Sequence, residues 1–244
     1  MVHNLNSALY GGEMAPVLAI LTDKTIIACF TTVIGVFFVA QYSITWAPSY
    51  MNKVLEFSPI TAGPVIIVPL VGQLIVKIGC GVLSDNLKCI SEVNKLRIFN
   101  SIALVGAAVF YSIATLVEPN GLAPGLDAFL SLAPITILGF HSAGYPKCIV
   151  MVAKQYTPFV MQFVQMVANA TMLVGAFVAP AYASENTYDQ WTRVFVTYVI
   201  MLIIPNAIFC IFVRSEAAEW TKPKKTDAEM AVEEGYCNVG LETD

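Results

Sequence analysis

Six stretches of mostly apolar residues dominate this sequence and constrain its fold more than any other feature. A helix rises about 1.5 Å per residue and needs ~20 apolar residues to cross the ~30 Å hydrocarbon core of a bilayer. Backbone polar groups within lipid must be paired inside their own segment, so each stretch is expected to be a helix. The predicted spans are residues 26–48, 60–83, 98–117, 128–146, 158–183 and 194–213. The sequence therefore predicts an all-α membrane protein with six transmembrane helices.

The composition excludes several classes of protein. Of all residues, 57% are hydrophobic and only 12% are charged, against about 25% charged in a typical soluble domain. The sequence contains no glycine-rich phosphate loop, metal-ligand cluster or pair of nucleophile and base, and its cysteines lack the spacing of a zinc site. We therefore expect no enzyme activity, no cofactor and no metal. The expected partner is the lipid bilayer, and no nucleic acid is expected to bind.

Lysine and arginine residues collect on one side of the predicted spans. That side holds Lys24, Lys88, Lys95, Arg97, Lys147, Lys154, Arg214, Lys222, Lys224 and Lys225, whereas the other side holds Lys53 and Arg193. An excess of these residues marks the cytoplasmic side of a membrane protein, so both termini are predicted to be cytoplasmic. Residues 1–24 are predicted to be a cytoplasmic lead-in, residues 25–214 the transmembrane domain, and residues 215–244 a cytoplasmic, disordered tail.

Several short motifs follow one another in an order and spacing that resemble a known family. They are PVLAILT at 16–22, PSYMNKVLEF at 48–57, GVLSD at 81–85, GFHSAGY at 139–145, and Ser215-Glu216 followed by Trp220. In this order they resemble the second half of the major facilitator superfamily, in its anion:cation symporter branch. That branch includes sodium/phosphate cotransporters, sialin and the vesicular glutamate transporters. The resemblance covers about residues 16–223 and implies helices seven to twelve, which form one six-helix half of the fold.

The resemblance implies a carrier that moves a small organic or inorganic anion by alternating access, with proton or sodium coupling. Substrate sites in such carriers lie near the midplane between two six-helix halves. A six-helix N-terminal half is therefore the implied partner, as a missing region or as another chain, and residues 1–24 would end the central cytoplasmic loop. Plasma-membrane and lysosomal or vesicular locations are not distinguished. The alternative is a non-transporting membrane interaction protein or a truncated fragment of a carrier.

The sequence departs from the family pattern in two places. The family often carries HLDIAP after its tenth helix, where this chain has IVMVAK at 149–154. Vesicular glutamate transporters also have an arginine midway along the seventh helix, where spacing places Val36. Specificity for glutamate is therefore not implied for this chain.

Four residues of the motifs are implied by the resemblance to steady one conformation of the transport cycle. Gly81 and Asp85 form the G-x-x-x-D pattern at the base of span two, with Lys88 close by in the sequence. Gly139 and Gly144 belong to the motif of span four, where glycine permits close helix packing or a bend. The alternatives are a solvated loop carboxylate for Asp85 and a purely structural role for the two glycines of span four.

Lys77 is the one strongly cationic side chain inside a predicted span and is the first candidate for substrate binding or coupling. A charge within the membrane costs ~3 kcal/mol on insertion scales, so it is a functional-site hypothesis by default. Gln73 stands four residues before Lys77, and with Asp85 the three form a polar stripe on one helical face. The alternative is that Lys77 extends to the cytoplasmic edge, about 10 Å away.

Two further pairs of polar residues are candidates for binding or coupling. His141 lies between the two glycines of the span-four motif, with Ser142 beside it. A histidine can titrate near neutral pH and relay protons, and the alternative is a structural histidine at a helix contact. Gln41 and Tyr42 lie near the outer end of span one and could face a cavity, whereas an interhelical hydrogen bond is the alternative for each.

Overall fold

A computed structural model describes residues 16–116 and 124–222 of the chain. Within these two ranges all regular structure is helical and no strand occurs, so the prediction of an all-α membrane protein is confirmed. The helices are α1 (Val17–Thr22), α2 (Lys24–Gln41), α3 (Ala47–Lys53), α4 (Pro59–Asn86), α5 (Glu92–Ala114), α6 (Pro124–Leu138), α7 (Tyr145–Ala153), α8 (Thr157–Gly175), α9 (Val178–Tyr182) and α10 (Tyr188–Phe212). A π-helical turn (Tyr42–Trp46) joins α2 to α3, and a 3₁₀ turn (Gly139–Ala143) follows α6.

Five helical runs in the described part of the chain are long and apolar enough to cross a membrane. Four of them match the predicted spans one, two, three and six. The remaining run, Gly125–Tyr182, contains 58 residues and includes both predicted spans four and five. A run of that length is long enough for two crossings, and it is interrupted at Lys154, whose φ of 45° lies in the left-handed region. Spans four and five are therefore α6–α7 and α8–α9, joined by a tight link at Lys154.

Local sequence signals set the beginnings of the long helices. The carboxylate of Asp23 caps α2 by accepting a hydrogen bond from the backbone N–H of Thr25 at 2.9 Å. The hydroxyl of Ser58 caps α4 by accepting from the N–H of Thr61 at 3.3 Å. Pro59 takes the first position of α4, where a helix has no use for its missing N–H. These caps fix where spans one and two enter the bundle.

The main contacts between spans form an open series, so two of the spans each have only one main neighbour. The most extensive contacts join span five to span one, one to six, six to three, three to four, and four to two. Span one is the most central. In its apolar stretch 67% of the residues are buried, whereas only 6% are buried in that of span two. Gly35 permits the close contact between spans one and six, because an added Cβ would lie 2.5 Å from the carbonyl oxygen of Met201.

The described chain begins and ends at the same end of the bundle, which we call the basic end. The guanidinium group of Arg214 pairs there with the carboxylate of Asp23, and Trp220 Nε1 donates to the same carboxylate at 3.0 Å. Lys147 is also at this end. The opposite end carries the loops between spans one and two and between spans five and six, and it also holds the end of α5 and the beginning of α6.

The lead-in and the tail differ from the sequence prediction where the structure describes them. Residues 16–22 include the short helix α1, and residues 1–15 lie outside the described range. Residues 215–222 were predicted to belong to a disordered tail, but they pack against the bundle. The backbone N–H of Ala218 donates to the carbonyl oxygen of Val152 at 3.0 Å, and Gln155 Nε2 donates to the carbonyl oxygen of Thr221 at 2.6 Å. The rest of the predicted tail, 223–244, lies outside the described residues.

Candidate functional site

The contact between span two and the 3₁₀ turn of span four brings together several of the predicted site residues. Gly139 lies against the α4 backbone, where an added Cβ would be 2.8 Å from the carbonyl oxygen of Gln73. Ser142 Oγ donates to the carbonyl oxygen of Lys77 at 3.2 Å and lies 3.0 Å from Cys80 Sγ. We call this contact the Lys77 junction. Its side-chain contacts to backbone carbonyls hold one stretch of span two against a non-α segment of span four.

Lys77 is half-exposed at this junction and carries an uncompensated charge. Within residues 16–116 and 124–222, no carboxylate pairs with its ammonium group. Gln73 lies one helical turn away and is also half-exposed. A free cation beside an amide donor is suited to attract an anion, because both groups supply N–H donors to negatively charged oxygen atoms.

His141 lies on the inner side of the same 3₁₀ turn. Its ring stacks on Tyr145, with centroids 5.3 Å apart and an interplanar angle of 18°. The side chain is only 8% exposed, and its Nδ1 atom has no hydrogen-bond partner. The ammonium group of Lys77 is close enough to act electrostatically on this ring. His141 therefore lies on the buried side of the Lys77 junction, whereas Lys77 lies on its partly exposed side.

Gly144 connects the junction to a polar network between spans three and six. An added Cβ at Gly144 would lie 2.8 Å from Asn100 Oδ1. Asn100 Nδ2 donates to Asn206 Oδ1 at 3.2 Å, and Ser101 Oγ donates to the same oxygen at 3.3 Å. Sequence analysis did not single out this network, although an amide in an otherwise apolar span is the signal that could have found it.

A cluster of charges lies at the basic end of spans two, three and four. Lys147 Nζ lies 2.8 Å from Asp85 Oδ1 and 3.7 Å from Glu92 Oε2, and it also donates to Ser84 Oγ at 3.0 Å. Lys95 pairs with Glu92. The partner of Asp85 is therefore Lys147 of span four, whereas Lys88, which is closer in the sequence, was expected. Sequence reasoning missed this partner because the two residues come from different helices.

Gly81 has no packing role in the described structure. No atom lies within 4 Å of the position that its Cβ would take, in contrast to Gly139 and Gly144. Glycine at this position is therefore not required by any contact among the described residues.

Gln41 and Tyr42 belong to a different group of side chains. Gln41 Nε2 donates to Thr45 Oγ1 at 2.6 Å, a contact within the π-helical turn of span one. Tyr42 is fully buried inside the bundle, with its ring 6.0 Å from Trp191 and 5.9 Å from Tyr198 between centroids. The structure thus places Tyr42 in an aromatic cluster among spans one, three and six.

Span five exposes a polar face at membrane depth. Gln162, Gln165 and Asn169 are all exposed, and Gln165 Nε2 donates to Asn169 Oδ1 at 3.0 Å within the same helix. No described helix covers these side chains. Polar side chains in a membrane span face water or protein in preference to lipid.

The fold defines a multi-pass integral membrane protein, and comparisons with known proteins narrow the class. No family model matches the chain. Sialin of Ovis aries and sialin of Homo sapiens are each 26% identical to it over 197 residues, which is 75% of this chain and 38% of the relative. A Drosophila melanogaster protein named "Putative inorganic phosphate cotransporter" is 23% identical over 244 residues, which is 94% of this chain and 45% of the relative.

The chain spans less than half the length of these curated relatives. The matches fit a partial member of the anion:cation symporter branch of the major facilitator superfamily, so the resemblance inferred from the motifs is confirmed. The relatives are transporters, a class of protein distinct from enzymes.

Proposed function

We propose that this chain forms one wall of a carrier that moves a small anion by alternating access, with proton or sodium coupling. The observation that carries the proposal is a pair of uncovered polar faces at membrane depth, with Gln73 and Lys77 on span two and Gln165 and Asn169 on span five. Spans two and five stand at the two ends of the packing series, so each has a face that no other described helix covers. Substrate paths in membranes are lined by such polar groups.

Lys77 is the residue that we assign to the anion. Its ammonium group is unpaired among the described residues and lies beside Gln73. Ser142 fixes the backbone at Lys77 through the hydrogen bond to its carbonyl oxygen. His141, behind the junction, and Gln41 with Tyr42, in span one, stay predictions as coupling or binding residues. Extension of Lys77 to the basic end stays the alternative interpretation.

Asp85, Gly139 and Gly144 are proposed to steady one conformation of the cycle. Lys147 joins Asp85 of span two to Glu92 of span three, so the cluster ties the basic ends of three helices together. Surface ion pairs contribute only ~0–1 kcal/mol to folding stability. A contact of that strength can be broken and remade in a transport cycle. Gly81 is retained as a motif residue only on the basis of the resemblance.

The partner implied by the uncovered faces is a six-helix half that resembles the N-terminal half of the family. Relatives more than twice as long as the matched region support such a partner, as a missing region or as another chain. Both termini are proposed to be cytoplasmic, because the lysine and arginine residues collect at the basic end. The 25–214 transmembrane domain would then lie in the plasma membrane or in a lysosomal or vesicular membrane.

Inorganic phosphate is the first anion to test, since phosphate cotransport appears in the names of two relatives. The relatives support transport and do not favour the alternative of a non-transporting interaction protein or a truncated fragment. The experiment measures uptake of radiolabelled phosphate, and of small organic anions in competition with it, into proteoliposomes that contain this chain together with a complementary six-helix half.

Lys77→Gln is expected to reduce anion affinity in that assay roughly ten- to a hundredfold. The physical reason is the loss of a charge-assisted contact, which is worth about 1.5–3 kcal/mol. Lys77→Arg keeps the charge and is expected to retain most of the uptake. Lys53→Gln, an exposed lysine at the opposite end, is the matched control for charge removal. Unchanged uptake by Lys77→Gln would show that this lysine only extends to the basic end.

A further inference from the structure

Asp127 is a buried carboxylate that neither the sequence motifs nor the proposed anion site uses. It lies in the first turn of α6 at the opposite end of the bundle, and its side chain is only 4% exposed. Its Oδ2 atom is fully enclosed and accepts no hydrogen bond. No lysine or arginine within the described ranges pairs with it. Lys53 and Arg193, the basic residues of this end, are exposed.

Four buried tyrosine side chains pack on one another at the same end of the bundle and further inside it. Asp127 is within electrostatic range of Tyr50, whose ring lies 6.4 Å from that of Tyr42 between centroids. The Tyr42 ring in turn lies 6.3 Å from Tyr111 and 5.9 Å from Tyr198. The hydroxyls of Tyr42, Tyr111 and Tyr198 are fully enclosed and make no hydrogen bond. The rings therefore form a continuous series from the carboxylate to the middle of the bundle.

Among the described residues, the titratable group shown close to Asp127 is the phenol of Tyr50. The outer half of span two, which packs on α6, has no titratable side chain between residues 59 and 72. Span one contributes Tyr50, and Tyr111 of span three lies further along the series, against Tyr42. Ser131, one turn further along α6, lies beside the hydroxyl of Tyr42 without reaching hydrogen-bond geometry. Tyr188 of span six donates to the carbonyl oxygen of Ala114 and is also close to Tyr50.

An enclosed carboxylate without a cationic partner is costly as long as it is charged. Proteins resolve this cost by neutralising the group, and a bound proton does so without any further ligand. Buried hydroxyls that lack partners are also costly, at about 1–3 kcal/mol each, and such groups in native proteins call for a specific explanation. A site that binds and passes a proton explains both features, because phenol and carboxyl groups each accept and donate through oxygen.

We propose that Asp127 and the hydroxyls of Tyr42, Tyr50, Tyr111 and Tyr198 form a proton-binding site at the opposite end of the bundle. Asp127 Oδ2 takes up a proton from the aqueous phase at that end and becomes a neutral carboxylic acid. It returns the proton to the same phase when the carboxylate forms again, and the phenols keep their own protons throughout. The use of this proton to drive anion movement rests on the proposed function, whereas its binding does not.

Infrared difference spectroscopy on the chain in lipid nanodiscs tests proton binding without any transport assay. At neutral pH the chain is expected to show the carbonyl-stretch band of a protonated carboxyl group, which moves on hydrogen–deuterium exchange. Asp127→Asn is expected to remove the band completely, and Asp127→Glu to shift it. Asp189→Asn, the same change at an exposed residue of the same end, is the matched control and is expected to leave the band intact.

Two results would overturn the proposal. One is a folded Asp127→Asn protein that keeps the full band, because the protonated group would then be another residue. The other is an Asp127→Glu protein whose band is identical to that of the parent, a readout that holds even where Asp127→Asn does not fold. Tyr42→Phe tests the tyrosine series in the same spectra. It is expected to shift the Asp127 band, and an unchanged band position would exclude the tyrosines from the site.

Discussion

Gly139→Ala is expected to lower the free energy of unfolding of the bundle by about 1–3 kcal/mol, the range for inserting atoms into a packed interior. The added Cβ would lie 2.8 Å from the carbonyl oxygen of Gln73 and 2.9 Å from Val76 Cγ1. The first of these is a backbone atom, which can yield only if span two moves away from span four. Chemical unfolding in mild detergent, followed by circular dichroism, measures the effect.

Gly81→Ala provides a matched control on the same helix contact. Both glycines belong to the motifs that the sequence singled out, but the Cβ position of Gly81 has no atom within 4 Å. Alanine is a better helix former than glycine by up to ~1 kcal/mol. Gly81→Ala should therefore leave stability unchanged or raise it slightly. Equal losses from the two substitutions would contradict the packing that we describe at the Lys77 junction.

Asp23→Ala is expected to destabilise the chain by about 2–4 kcal/mol, because one carboxylate serves four partners. It caps α2 through the N–H groups of Thr25 and Ile26, pairs with Arg214 and accepts from Trp220 Nε1 at 3.0 Å. Its loss leaves an exposed helix end and two donors without an acceptor. It should also free the segment at 214–222 from the bundle. Limited proteolysis next to Trp220 measures that release, alongside the unfolding midpoint.

Asp23→Asn separates the N-cap from the contacts with Arg214 and Trp220. Asparagine is as good an N-cap as aspartate, and its single amide oxygen can keep the cap on Thr25. Arg214 and Trp220 contact the other carboxylate oxygen, Oδ2, which asparagine replaces with an NH₂ donor. We therefore expect a smaller loss than from Asp23→Ala, about 1–2 kcal/mol, together with release of the tail. If Asp23→Asn released none of the tail, the packing of residues 215–222 would not depend on these two contacts.

The spans could be predicted from the sequence because bilayer thickness acts on each segment separately. Four predicted spans match helical runs directly, and the tight link at Lys154 merges the other two spans into one run. Contacts between segments could not be predicted in the same way. Lys147 of span four pairs with Asp85 from another helix. No local pattern distinguishes that pairing from the nearer candidate, Lys88.

Burial of polar side chains was the other feature that the sequence could not supply. Gln165 and Asn169 share a helix face, which is visible in the sequence, but whether that face is covered depends on how span five packs. The Lys77 junction was partly predictable, since a glycine such as Gly139 indicates that another helix packs closely there. Which helix does so could not be predicted. Asp127 was missed because it stands at the edge of a span, where a carboxylate usually meets water.

The most direct test of the account is anion uptake by the 244-residue chain reconstituted alone and together with a complementary six-helix half. The uncovered polar faces of spans two and five predict that the chain alone takes up no more phosphate or organic anion than empty liposomes. With the second half present, uptake should rise above that level and should fall again with Lys77→Gln. Uptake by the chain alone at the rate of the two-half protein would contradict the claim that it forms one wall of a carrier.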